Sequence, residues 1–311
     1  MLRPAGMLLA CLLSLLAVLP GFAQGGPGAW SEKAALPTPR SEVAAAEVNG
    51  LIYVVGGFDA AAFANEAYDP TADSWSVRAP LPRPLDHAAA AGLNGKLYVV
   101  GGNDGQLGRP VASLYEYDPA TDSWAERAPM PTARSALAAA TLNGLIYAVG
   151  GIGARDVTAN EAYDPATNTW RQLAPLTVAR DHLAMSVVNG KLYAIGGRRG
   201  NFAIKLDANE EYDPLTDAWT IRAPLPTPRS GIAGATLAGR MQVFGGEDPT
   251  HTFVVNEAYD PVTDSWVSLA PLPSGRHGLG AAAFGNAIYV LAGGDTPGGS
   301  ATSLNQAFTL E

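Results

Sequence analysis

Three of the four histidines, His87, His182 and His277, are the side chains best suited to chemistry near neutral pH. Two of them follow an aspartate, as Asp86-His87 and Asp181-His182. Imidazoles backed by carboxylates have two uses. Brought together, the three could ligate a metal ion, with Asp86 and Asp181 behind them. Apart, each Asp-His pair forms a hydrogen bond and lines a polar surface. Arg155, Arg198 and Arg199 carry forked donors suited to a carboxylate or sulfate, or else serve as solvated loop charges. Asn103-Asp104-Gly105 opens like a calcium loop but lacks the later acidic ligand. Gly151-x-Gly153 leads into a strand and has no third glycine, so it is not a dinucleotide fingerprint. Neither a G-x-S-x-G elbow nor an HExxH motif occurs. Carboxylate pairs from distant segments stay open as a glycosidase-type possibility.

What positions these residues follows from the rest of the chain. Residues 1–23 read as an export leader: Arg3, then an apolar run from Met7 to Leu19, then small residues at Gly21 and Ala23. The run is too short for a membrane span. A secreted or periplasmic protein beginning at Gln24 is expected. Cys11 is the single cysteine and falls in the leader, so the mature chain has no disulfide. The formal net charge is −9, and one unit more negative without Arg3, which argues against nucleic acid and anionic membranes as partners.

Self-comparison exposes a repeat. Glycine pairs at Gly56, Gly101, Gly150, Gly196, Gly245 and Gly293 recur at intervals of 45 to 49 residues, each ending an apolar run such as LIYVVGG. The sixth run has one extra residue, which makes Ala292-Gly293 a candidate equivalent. NEAYDP, or a close variant, begins at Asn65, Leu114, Asn160, Asn209 and Asn256. Trp75, Trp124, Trp170, Trp219 and Trp266 follow at fixed distance, then a proline-rich turn ending in Arg40, Arg134, Arg180, Arg229 or Arg276; the second repeat has Leu85 there. Each repeat predicts four short strands: one of small residues, an Asn-Gly turn of type I′, the apolar strand, one carrying the YDP tyrosine, and one opening on the tryptophan. The apolar strand is hydrophobic on both faces, so the sheets must be sandwiched, as in radially stacked blades. Helices should be nearly absent.

The paired glycines, the Tyr, the spaced Trp and the Pro-x-Arg turn resemble kelch repeats over essentially the whole mature chain. The resemblance implies an all-β, six-bladed β-propeller over 24–311, with blades at about 41–79, 86–128, 135–174, 182–223, 230–270 and 277–311. The sixth blade lacks a Trp-bearing strand. GAWSEKAALPTPRS resembles DSWAERAPMPTARS, so residues near Gly28–Ala35, with Trp30, are expected to complete it.

The repeat also sorts residues. Those present in every blade serve the fold; those that break the pattern are free to form a site. In kelch propellers the loops into the innermost strand and those after the glycine pairs surround the channel mouth. That selects Glu42, Asp86, His87, Asp181, His182 and His277 from the first set, and Asn103, Arg155, Arg198, Arg199 and Glu247 from the second, as ligand-binding candidates. The three histidines fall in blades two, four and six, with His277 one position out of step. Such spacing around a mouth favours polar lining over a shared ion, so no metal and no cofactor is expected, and no catalytic residue is assigned. A cysteine-linked copper centre of the galactose-oxidase kind is excluded for want of a cysteine. The expected function is a monomeric binding module for a protein segment or glycan. The alternative is a sugar mutarotase or epimerase using Asp181-His182, Arg198 and Glu42. An intracellular adaptor fits poorly, since no BTB-like or F-box-like segment precedes the repeats.

Overall fold

The computed structural model describes residues 1, 27–58, 61–105 and 109–310. The expected leader, with Cys11 and its cleavage point before Gln24, lies outside the described residues, Met1 aside. Six four-stranded antiparallel sheets stand around an axis, and no α-helix occurs among the described residues. In blade one the strands run outward as Ala44–Val48, Leu51–Val55, Asn65–Asp69 and Ser74–Val77. Each innermost strand packs on the next, and the last on the first. The small residues there are required by crowding. A Cβ on Gly92 would lie 2.2 Å from the Glu47 carbonyl oxygen, and one on Gly280 2.6 Å from Ala45 Cβ. Asn49 (φ 53°) and Gly50 (φ 85°) form the expected left-handed turn.

The ring closes as the repeat predicts. Ala29–Glu32 is the outermost strand of the sixth blade and pairs with Asn305–Thr309 in the register Trp30↔Phe308, matching Trp75↔Tyr68 of blade one. Ala292-Gly293 is the equivalent of the glycine pairs: Ala292 N–H donates to Leu304 O (2.7 Å) and Gly293 N–H to Arg40 O (2.9 Å), as Gly56 does to Ala64 and Gly57 to Leu85.

Every tryptophan clamps neighbouring blades. The Trp75 indole N–H donates to Ala34 O at 2.7 Å, and Asp73 accepts the Ala34 N–H at 2.8 Å. The same pair of bonds recurs at Trp124/Asp122 on Ala79, Trp170/Asn168 on Ala128, Trp219/Asp217 on Ala174 and Trp266/Asp264 on Ala223. At the closing blade Trp30 takes Ala270 O, and the Pro27 carbonyl accepts the Ala270 N–H in place of a side chain.

The repeated arginines are structural, but their main partner is one that the sequence pattern hid. Arg40 is fully buried; it donates to Val54 O at 2.8 Å and to Glu66 Oε2 at 2.7 Å. Arg134–Glu161, Arg180–Glu210 and Arg229–Glu257 repeat this pair within the blade each arginine leads into. The glutamate is the second letter of NEAYDP. Blade two lacks both members: Leu85 and Tyr115 take the corresponding places and share one apolar cluster. In blade six Arg276 meets the neutral Gln306 at 2.7 Å.

Candidate functional site

Three concentric rings build the mouth of the channel. The innermost consists of Glu42, His87, Ala136, His182, Gly231 and Gly278, one per blade, all left-handed with φ between 51° and 66°. That conformation costs non-glycine residues about 1 kcal/mol or more. A closed circuit of main-chain hydrogen bonds offsets it. His87 N–H donates to Glu42 O (3.1 Å), Ala136 to His87 (2.8 Å), His182 to Ala136 (2.9 Å), Gly231 to His182 (3.2 Å), Gly278 to Gly231 (3.0 Å), and Val43 N–H completes the circuit on Gly278 O (3.3 Å). Below lies an apolar layer of Val43, Ala88, Leu137, Leu183, Ile232 and Leu279.

The second ring is the residue before each of these: Ser41, Asp86, Ser135, Asp181, Ser230 and His277. Each is bonded through its backbone to a rim residue after a glycine pair, namely Phe58, Asn103, Ile152, Arg198, Glu247 and Gly294. His277 thus belongs to the second ring and His87 and His182 to the first, which accounts for the offset of one position. Small residues fill the inner ring in blades three, five and six, so the polar side chains gather around Glu42.

There they form one connected network. Glu42 Oε2 lies 3.3 Å from His87 Nε2 and 4.0 Å from His182 Nε2; Glu42 Oε1 lies 3.2 Å from His277 Nδ1. His87 Nδ1 donates to Asp86 Oδ1 (2.6 Å), which also accepts from Asn103 (2.9 Å), and His182 Nδ1 donates to Asp181. Arg198 reaches Asp181 (3.1 Å), Glu247 (3.3 Å) and His182 Nε2 (3.0 Å) while its guanidinium stacks on Phe202 at 4.1 Å. The rings of His87 and His182 meet edge-on at 5.1 Å, and Phe58 packs on His87 at 5.0 Å.

The hydrogen-bond partners assign the protons. His277 has only acceptors around it: Glu42 and Glu247 (3.4 Å) at Nδ1 and Thr296 O (3.1 Å) at Nε2, so it is an imidazolium. His87 likewise has carboxylates at both nitrogens. His182 donates from Nδ1 and accepts the Arg198 N–H at Nε2, so it is neutral. The electrostatics agree. Burial opposes charge on His87 and His277, but Glu42 with its neighbouring acids raises both. Burial, then Arg198, lowers His182. Burial alone would raise Glu42; the charged imidazoles of His87 and His277 more than offset it and hold the carboxyl well below the usual range. Burial lifts Glu247. Asp156, pressed against Asp181, is pushed up to about 6, chiefly by burial.

A cavity of about 490 Å³ opens above this network, lined by Glu42, Asp86, His87, His182, Arg198 and Glu247 with Phe58 and Phe202 on its walls. Asn103 and Asp181 stand behind the lining and His277 beneath it. One placement differs from the expectation. Arg155 and Arg199 are exposed and stay outside the cavity, because Ile152, not Arg155, is the rim residue of blade three, and Arg199 follows the one arginine turned inward. Arg198 is committed to the protein's own acids, so no three-arginine anion site forms. The three-histidine set does not converge either. Donor atoms of Glu42, His87 and His182 lie within 4.8 Å of one another, while His277 groups with Glu42 and Glu247 instead. Phe202 went unnoticed in the sequence; it sits beyond the rim residue Arg198, outside the repeat's register, in the strand Asn201–Lys205.

Among curated proteins none matches the chain at a significant level. The solved structure titled "Structure of YjhT" superimposes with a TM-score of 0.77 at 19% identity, covering 88% of this chain and 96% of that one. The KLHDC2/KLHL20/DRC7 Kelch-repeats domain model matches residues 29–197, and the Kelch motif model matches residues 179–226 and 228–273. With the repeat, the six blades and these matches in agreement, the chain belongs to the kelch-repeat family of β-propellers.

Proposed function

We propose that this propeller is an exported binding module that holds a small polyhydroxylated ligand, a free sugar or a glycan end, in its mouth. The observation that carries this reading is the cavity of about 490 Å³ with fixed, buried acceptors on its floor and phenyl rings on its walls. Its volume is in the range of small-molecule sites. Carboxylates accept hydrogen bonds from hydroxyl groups, and the phenyl faces pack on the apolar face of a sugar ring. A rigid ring of loops limits the ordering lost on binding. A protein segment would have to enter a cavity rather than lie along a groove, which favours the glycan. Because Arg198 is spent on Asp181 and Glu247, neutral sugars should bind better than uronates.

One observation favours a second reading, sugar mutarotation or epimerisation. The neutral His182 and the imidazolium of His87 stand edge to edge, a base and an acid. In mutarotation His182 would take the anomeric hydroxyl proton as the ring C–O bond breaks, and His87 would protonate the ring oxygen. A glycan array with calorimetry tests the first reading: Phe58→Ala and Glu42→Gln should each weaken binding at least about tenfold, and no binding of any sugar at millimolar concentration would refute it. Anomer exchange followed by NMR tests the second, through its loss in His182→Ala. Fractionation of the source cell for the mature chain tests export.

A further inference from the structure

We propose that Glu42, His87 and His182 form a binding site for a divalent first-row metal ion, of Zn(II) type, open to the cavity. This departs from the expectation of no metal, and it does not rest on the sugar reading. Each imidazole is oriented as a ligand: Nδ1 donates to a carboxylate, Asp86 in one case and Asp181 in the other, and Nε2 points toward Glu42. Such carboxylate–histidine pairs fix the tautomer and raise the basicity of the ligating nitrogen. Two histidines and one carboxylate with free positions are a recurrent donor set for catalytic zinc and related ions.

The distances fit. Metal–ligand bonds of about 2.0–2.1 Å in a tetrahedron put neighbouring donors about 3.3 Å apart. His87 Nε2 and Glu42 Oε2 are already 3.3 Å apart, and His182 Nε2 must close from 4.0 Å. The three positions are left-handed and locked by the main-chain circuit, so the donors are held before any ion arrives. The fourth position faces the cavity, where a water or a ligand oxygen completes the shell.

The neighbouring set of Glu42, Glu247 and His277 is the weaker host. Its histidine is buried at 1% exposure, and Glu247 is already occupied by Arg198 (3.3 Å) and by the Gly298 N–H (3.1 Å). A single proton on His277 satisfies it. In the open set two cations stand in the way: the His87 imidazolium, whose Nε2 proton the ion must displace into solvent, and Arg198, whose Nη2, 3.0 Å from His182 Nε2, must swing away while keeping Asp181 and Phe202. The clash with Arg198 makes a specific signature, since removing its charge should tighten the ion's binding.

The test is titration of the full mature chain with ZnCl2 by calorimetry and with CoCl2 by visible absorption. One equivalent should bind at micromolar concentration or tighter, with Co(II) d–d bands of four- or five-coordinate strength. His87→Ala, His182→Ala and Glu42→Gln should each weaken binding at least about hundredfold, with folding checked by near-ultraviolet circular dichroism. Arg198→Met should bind at least about tenfold more tightly. His251→Ala, at the exposed fourth histidine, should bind like the parent. Absence of stoichiometric binding by the parent overturns the proposal whatever the variants do. Binding that survives His87→Ala and His182→Ala but is lost in His277→Gln overturns it in favour of the deeper set, and loss in His251→Ala overturns it in favour of the surface.

Discussion

Blade two and its neighbours solve one packing problem in opposite ways. In blades one, three, four and five a buried arginine donates to a buried glutamate; in blade two Leu85 and Tyr115 fill the same space without a charge. Both members changed together, as electrostatics requires. A buried ion pair and a well-packed apolar pair are close in stability, but removing one partner of an ion pair is costly unless another group meets the remaining charge. The arginine–glutamate pair is therefore one of two acceptable fillings, not what makes the ring possible. Blade six shows an intermediate, with a charged Arg276 on a neutral Gln306 that is tied in turn to Glu32 of the closing strand at 2.7 Å.

The comparison can be broken in order of expected effect. Removing residues up to Glu32 takes away the closing strand, its pairing with Asn305–Thr309 and the Trp30 clamp. The loss should exceed the roughly 3–5 kcal/mol that a buried Trp→Ala change costs alone, seen as a sharp drop in melting temperature; an unchanged melt would deny the closure. Next, Glu161→Ala leaves Arg134 buried without a carboxylate and should cost about 3–5 kcal/mol by denaturant unfolding. The double change Arg134→Leu with Glu161→Tyr copies blade two into blade three and should cost no more than about 1–2 kcal/mol; a larger cost would show that blade two relies on something other than this exchange.

The smallest effect concerns acid. Hydrogen bonds from the tyrosine hydroxyls and the alanine N–H groups hold Asp73, Asp122, Asp217 and Asp264 below the ordinary carboxylate range, whereas blade three uses the neutral Asn168. Their folded values are depressed, so the stability they add is present above about pH 4 and is lost as the pH falls through the folded values. Melting temperature against pH should fall on the acid side. Replacing all four by Asn should flatten that fall; an unaltered slope would assign acid lability to other groups.

Most of the architecture could be read from the sequence because the repeat displays it several times. The glycine pairs, the tryptophans and the Trp30 seam each follow from comparing one blade with another. The arginine–glutamate pair did not, since its partner lay inside a motif read as a strand and its distance in sequence says nothing about contact. The site was legible in membership more than in geometry. Glu42, Asp86, His87, Asp181, His182, Arg198, Glu247 and His277 were selected as departures from the pattern, and the structure brings them together. Arg155 lies outside the cavity, because Ile152, directly after the glycine pair, takes the rim position and Arg155 follows three residues further on. Phe202 was missed because it sits in the strand Asn201–Lys205, beyond the rim residue Arg198. Proton positions were beyond sequence altogether, since they depend on which acceptors surround each imidazole.

The circuit of left-handed residues has a consequence for descent. Its bonds are all main chain, so glutamate, histidine, alanine or glycine can occupy a slot while the loop keeps its path. A duplicated blade can thus drift at that one letter without a penalty in the blade's core. Selection on ligand and selection on folding then act on different alphabets, and a lineage of such rings can change what it recognises many times over while inheriting a single body.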